Sequence, residues 1–307
     1  STQGVSSAAS DVYKRQLYIC CIFLEFFYML TNKLAHKLTT AICGQLYTSI
    51  FKQPKGTMKK LILIVAIASS FSAQLAHAED SKPDHEVSFN AALVSDYRYR
   101  GISQTRLQPA LQGGADYIHN PSGFYAGTWL STIKWVKDSA GSADVEVDIY
   151  GGKRGTLGKD VAYDFGVLTY VYPSNGLRPN ANTTEVYGQL SYGPAYIKYS
   201  HALTNLFGFT DSKNSGYLDL GANIDISNGY VLNLHAGHQK VAGDNAGVSN
   251  DRLSYTDWKL GVSKDFGILT GALAVIGTDA DKSVYASPAN GKVMGKNAVV
   301  LSISKTF

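Results

Sequence analysis

The last ten residues, Ala298 to Phe307, constrain this chain more than any other segment. Counting back in twos from Phe307, the apolar Ile303, Leu301 and Val299 share one face, and Thr306, Ser304 and Ser302 share the other. A period of two is a strand, and a strand with one apolar and one polar face separates two environments. The same alternation recurs upstream in segments of about ten residues, rich in Tyr, Val, Leu and Gly. Twelve such segments can be read: 85–97, 109–119, 123–134, 143–154, 161–172, 184–193, 195–204, 216–227, 229–239, 254–265, 268–278 and 296–307. No run of the roughly 20 apolar residues that a spanning helix needs follows residue 78. The expected fold is all-β: an up-and-down antiparallel transmembrane β-barrel of about twelve strands.

The connections strengthen this reading. Those after strands 2, 4, 6, 8 and 10 are short: 120–122, 155–160, Pro194, Asn228 and 266–267. Those after strands 1, 3, 5, 7, 9 and 11 are longer: 98–108, 135–142, 173–183, 205–215, 240–253 and 279–295. Short periplasmic turns alternating with long outer loops are the expected asymmetry of an outer-membrane barrel, whereas a soluble sandwich gives no strict alternation. An even strand count places both termini in the periplasm.

Residues 1–57 differ in kind. All three cysteines (Cys20, Cys21, Cys43) lie there, and the apolar run 17–30 is interrupted by Glu25 and too short to span a bilayer. Met58 then opens a secretory signal. Lys59 and Lys60 form its basic start, 61–68 its apolar core, and Ala76-His77-Ala78 a small-x-small cleavage site. Residues 1–57 therefore read as upstream translation foreign to the protein, 58–78 as a signal peptide cleaved after Ala78, and 79–307 as the barrel. The whole chain carries 28 basic and 24 acidic residues, net +4. Eight of the basic residues and two of the acidic ones (Asp11, Glu25) precede residue 79, which leaves 20 and 22, net −2. The basic balance is thus no argument for nucleic acid. The exported part has no cysteine, so barrel closure, not disulfides, must hold it.

Alternation assigns the faces. Asp144, Glu146 and Asp148 alternate with Val145, Val147 and Ile149. Asp219, Asn223 and Asp225 alternate with Leu218, Leu220 and Ile224. Asn233 and His235 alternate with Leu232 and Leu234, and Asp257 and Lys259 with Trp258 and Leu260. A Lys or Arg on the lipid face at mid-bilayer costs up to ~2–4 kcal/mol, and Asp or Glu somewhat less. The charged face must point inward. With Asp164 and Lys198 these residues are the candidate pore lining, and acids outnumber bases, which favours cations. Tyr150, Tyr172, Tyr192, Tyr230, Trp129 and Trp258, near strand ends, suit interfacial girdles.

Arg98, Arg100 and Arg106 cluster in the first long connection beside Asp96, Tyr97 and Tyr99. Guanidinium forks hold carboxylates and phosphates, so the cluster is a candidate constriction. The competing reading pairs these arginines with interior carboxylates or lipopolysaccharide phosphates. The density of the block suits a loop folded inward. His235 and His238 fall on opposite faces of one strand, a poor geometry for a shared metal. Loop acids such as Asp244, Asp251, Asp279 and Asp281 read as solvated. No G-x-S-x-G occurs, and Ser200 and His201 are neighbours that face opposite ways, so no catalytic residue, metal or cofactor is assigned.

The block Val94-Ser95-Asp96-Tyr97-Arg98-Tyr99-Arg100-Gly101-Ile102-Ser103-Gln104, then 108–114 and 123–129, resembles the opening of the TorF-type porin family of proteobacteria. The Phe-terminated last strand is similar to the assembly signal of Gram-negative outer-membrane barrels. The resemblance implies an outer-membrane barrel with a porin role and no catalytic residues. Its partners would be outer-membrane lipid and lipopolysaccharide, the barrel-assembly machinery, and small hydrophilic solutes or ions. The expected function is a passive-diffusion channel with a polar, acid-leaning lumen. The alternatives are a closed structural or surface-binding barrel and, more remotely, a lipid hydrolase.

Overall fold

A computed structural model describes residues 83–307. The expected upstream segment, signal peptide and cleavage after Ala78 lie outside the described residues. Twelve strands form the wall: β1 His85–Val94, β4 Ala110–His119, β5 Phe124–Thr132, β6 Val145–Leu157, β7 Val161–Val171, β8 Thr183–Tyr192, β9 Ala195–Ala202, β10 Gly216–Asp225, β11 Tyr230–Lys240, β14 Tyr255–Asp265, β15 Thr270–Thr278 and β16 Ala298–Thr306. The long connections carry two small hairpins, β2 Arg98–Tyr99 with β3 Ile102–Ser103, and β12 Asp244–Asn245 with β13 Val248–Ser249. They also carry an α-helical turn, α1 Trp135–Asp138, and a 3-10 turn, Asn250–Leu253.

Each wall strand pairs antiparallel with its sequence neighbour, and β1 pairs with β16 to close the barrel. All twelve sequence segments are strands, their ends shifted by at most a few residues. Closure leaves no edge, so every wall N–H and C=O can be paired within the protein, the condition for β-structure in hydrocarbon. The strands run from eight residues (β9) to 13 (β6), against the ~9–11 that a tilted spanning strand needs. Among the described residues no helix is long and apolar enough to cross a membrane.

The side chains invert the usual soluble arrangement. Phe89, Leu93, Leu111, Ile149, Phe165, Leu190, Leu220, Leu260 and Leu301 all stand outward and exposed. Apolar surface on this scale, far beyond isolated exposed residues, requires an apolar surrounding. Glu146, Asp148, Glu185 and Asp257 are buried on the inner face. The short turns gather at one rim with both ends of the wall, and the long loops at the other. Gly193 (φ +55°) and Pro194 make a two-residue turn between β8 and β9, where the positive φ favours glycine.

The aromatic girdle divides. Tyr192, Tyr230 and Trp258 lie on the outward face, Tyr192 67% exposed at its strand end. Trp129 and Tyr150 point inward instead. Trp129 packs on Tyr97 with ring centres 5.3 Å apart, and the Tyr150 hydroxyl donates to Asp116 at 2.6 Å. Tyr172 is buried under the long loops. Strand parity places Trp129 and Tyr150 on the inner face, and it outweighs their nearness to strand ends.

Candidate functional site

The first long connection does not stand out in solvent. It turns into the barrel as the hairpin β2–β3. Tyr99 pairs with Ile102, and the two residues between them, Arg100 (φ 45°) and Gly101 (φ 77°), both have positive φ. Two such residues make the tight turn whose twist matches antiparallel strands. The base of the hairpin is fixed by Asp96, which accepts from Arg98 Nε at 2.6 Å and from Ser103 Oγ at 2.5 Å. Arg98 Nη1 donates to the carbonyls of Gly101, Met294 and Lys296, tying the hairpin to the last long loop.

The tip reaches the walls. Arg100 donates to Glu185 Oε2 on β8 at 2.7 Å and to Gln239 Oε1 on β11 at 2.6 Å. Its guanidinium lies 4.2 Å from the Tyr217 ring centre. Gly101 abuts β14 and β15, where a Cβ would stand 2.7 Å from Asp257 Cβ and closer still to Thr278. Tyr97, Tyr99, Trp129, Trp135, Tyr170, Tyr172 and Phe207 pack around the hairpin and fill the long-loop end. The three predicted constriction arginines therefore separate. Arg100 crosses the lumen, Arg98 braces the loop, and Arg106 pairs with Asp138 of α1 at the mouth.

Below the hairpin the inner face follows one local rule: a tyrosine lies over a glycine of the facing strand. Tyr150 lies over Gly127, Tyr125 over Gly152, Tyr187 over Gly166 and Tyr196 over Gly221. A ring held flat this way sends its hydroxyl sideways along the wall. There it meets the inner carboxylates. Tyr125 donates to Asp164 at 2.5 Å, Tyr97 to Glu146 at 2.5 Å and Tyr217 to Asp257 at 2.8 Å. Sequence reading of the charged residues missed these partners, although Tyr125 and Tyr217 share the inward parity of the acids, while Tyr97 lies beyond the end of β1.

The remaining predicted lining residues fall into groups. His235 sits between Asp219 (Nδ1, 2.9 Å) and Asp257 (Nε2, 2.7 Å). Asn233 donates to Asn223 at 2.8 Å near the short-turn rim. The Lys198 ammonium lies 4.2 Å from the Tyr187 ring centre. Glu146 and Asp148 are buried behind the hairpin, and Asp148 Oδ1 has no hydrogen-bond partner among the described residues.

Two predicted lining residues are corrected. Asp144 lies at the long-loop mouth, largely exposed, and pairs with Lys137 of α1 at 2.9 Å. It precedes β6, so the alternation it shares with Glu146 does not carry it into the lumen. Lys137 holds its carboxyl below the usual range. Asp225 ends β10 exposed at the short-turn rim, where it accepts from the backbone N–H of Ser227 at 2.8 Å. Among the described residues no cluster of His, Cys, Asp or Glu has the geometry of a metal site.

A cavity of about 250 Å³ lies between the hairpin and the wall strands β7, β9, β10, β11, β14 and β15. Tyr99, Arg100, Lys198, Asp219, His235 and Lys259 are among its lining.

Closure, an apolar exterior and a charged, partnered interior define a membrane-spanning β-barrel whose lumen is narrowed by its own first long loop. Within that class the chain belongs to the family described as "Bacterial protein of unknown function (Gcw_chp)", which matches residues 77–307. No curated protein matches the sequence. Among solved structures the chain is similar to the "KdgM porin" (TM-score 0.44, 5% identity, covering 72% of this chain and 97% of that one). It is also similar to OccAB3 of Acinetobacter baumannii (TM-score 0.37, 10% identity, 75% and 66%) and to LpxR from Salmonella typhimurium (TM-score 0.33, 10% identity, 72% and 99%).

Proposed function

We propose that this protein is an outer-membrane channel for passive diffusion of small hydrophilic solutes or ions, with the β2–β3 hairpin as its constriction. One observation carries the reading: inside a closed barrel, the tip of the hairpin borders a cavity lined by ionic groups from several wall strands. An interior that served only to hold the wall together could be apolar and close-packed, because buried polar groups cost free energy unless every one is partnered. The resemblance to the TorF-type porin family supports the same reading. In the membrane the short-turn rim and both termini face the periplasm, and lipid with lipopolysaccharide surrounds the outer belt. The Phe307-ended β16 is the element the assembly machinery would take up.

The reading is non-enzymatic. Ser200 faces inward and His201 outward on β9, so they cannot act as nucleophile and base. His235 is held by two carboxylates and Tyr217.

A second reading, a closed surface-binding barrel, draws on the aromatic packing that fills the long-loop end. Single-channel recording of the refolded protein in a planar bilayer separates the two. Discrete conductance steps support the channel. Insertion without steps would overturn it and leave the closed barrel.

A further inference from the structure

The inner carboxylates outnumber the inner cations, yet the cavity beneath the hairpin has the opposite character. Its acids are already engaged. Asp257 accepts from Tyr217, and the two ring nitrogens of His235 lie within hydrogen-bond distance of Asp219 and Asp257. Both ring nitrogens of His235 face carboxylate oxygens, and a neutral imidazole has a hydrogen on only one. With His235 as the imidazolium, donating to both carboxylates, the triad carries a net charge of −1. Arg100 is matched by Glu185 and Arg98 by Asp96.

What remains in the cavity is cationic. Lys198 and Lys259 stand on its wall, and among the described residues neither has a carboxylate in ion-pair range and Lys259 donates no hydrogen bond. Arg98, which also lines the cavity, is buried, and its Nη2 has no hydrogen-bond partner among the described residues. Asp148, the inner acid with a free oxygen, does not line it. The unused charged groups of the cavity are thus donors, and two lysines outweigh the single negative charge of the triad. A low-dielectric wall strengthens that excess.

We infer that the cavity between the hairpin and strands β9 to β14 is a binding subsite for small organic anions, with Lys198 and Lys259 as the ammonium contacts for a carboxylate group. This rests on the channel reading only for its place along a solute path. The subsite itself is a property of the cavity.

The test pairs two measurements on the full chain and its Lys198→Gln/Lys259→Gln variant. Reversal potential in a KCl gradient should show chloride preference in the parent, shifting toward potassium preference in the double variant. Calorimetric titration of the detergent-folded barrel with citrate should show saturable binding that weakens at least tenfold in the variant. Citrate binding that depends on the lysines in a barrel without conductance would retire the channel and keep the subsite. Potassium preference in the parent, or citrate binding that is absent or indifferent to both substitutions, would overturn the subsite even where conductance steps are seen.

Discussion

Arg100 and Glu185, 85 residues apart in sequence, close a 2.7 Å ion pair between the tip of the first long loop and the wall strand β8. Both side chains are almost fully buried. The pair fixes where the lumen narrows. Removing one partner of such a pair leaves the other charged, buried and unmatched, a cost of about 3–5 kcal/mol. Glu185→Ala is therefore expected to release the hairpin from β8. Single-channel conductance should rise severalfold, and trypsin should cut after Arg98 and Arg100, which the parent protects. Unchanged conductance and protection would mean that Gln239 and the aromatic packing hold the tip unaided.

The tyrosine-over-glycine contacts predict a sharp positional rule. A Cβ at Gly127 would stand 2.5–2.6 Å from the Tyr150 ring and hydroxyl. Gly127→Val must push that ring away and break its hydrogen bond to Asp116, costing about 1–3 kcal/mol as overpacking does. A Cβ at Gly188, on the outward face of the same barrel, meets nothing within 4 Å. Gly188→Ala should be close to neutral. Urea midpoints of the two variants in detergent provide the comparison, and equal midpoints would sink the rule.

Phe307 extends the closing seam. Its backbone N–H donates to Phe89 O at 2.8 Å, and Phe89 N–H donates back at 3.1 Å. Deleting Phe307 removes both bonds, about 0.5–1.5 kcal/mol each, where Phe307→Ala keeps them. The deletion should lower the temperature at which the barrel loses its fast gel mobility by more than the alanine variant does. If Phe307 is also the assembly signal, both variants should reach the membrane of cells poorly. Normal yields of Phe307→Ala would argue against that second role.

At the mouth, Asp144 titrates below the ordinary carboxylate value of ~3.9 because Lys137 donates to it and attracts its charged form. A depressed carboxyl stabilises the fold above its unfolded pKa, and that contribution disappears as the pH falls through the folded value. The Lys137–Asp144 contact should accordingly persist at neutral pH and open only below about pH 4. Carboxyl-resolved NMR titration should show the Asp144 midpoint rising in Lys137→Gln. A midpoint indifferent to that substitution would rule out the pairing in solution.

The hairpin could have been read further from sequence than the charges alone allowed. Arg100-Gly101 sits between Tyr99 and Ile102, a two-residue turn spacing with glycine at the second turn position. Asp144 and Asp225 were misplaced for the converse reason: each continues the alternation of its strand to a point where the strand is already at a rim. Parity states which face a residue takes, and it says nothing about depth.

The sequence by itself determined the wall. Strand number, order, facing and the short-long alternation of connections are local properties, because a period of two must match the boundary between lipid and lumen at each strand separately. Only the tertiary structure decided what fills the lumen. Closure brings Arg100 to Glu185, Tyr217 to Asp257 and His235 to two aspartates, and no local pattern links those residues. Hence the sequence reads as an acid-leaning interior, while the folded barrel engages the acids of the cavity and, among the described residues, leaves Lys198 and Lys259 without an ion-pair partner.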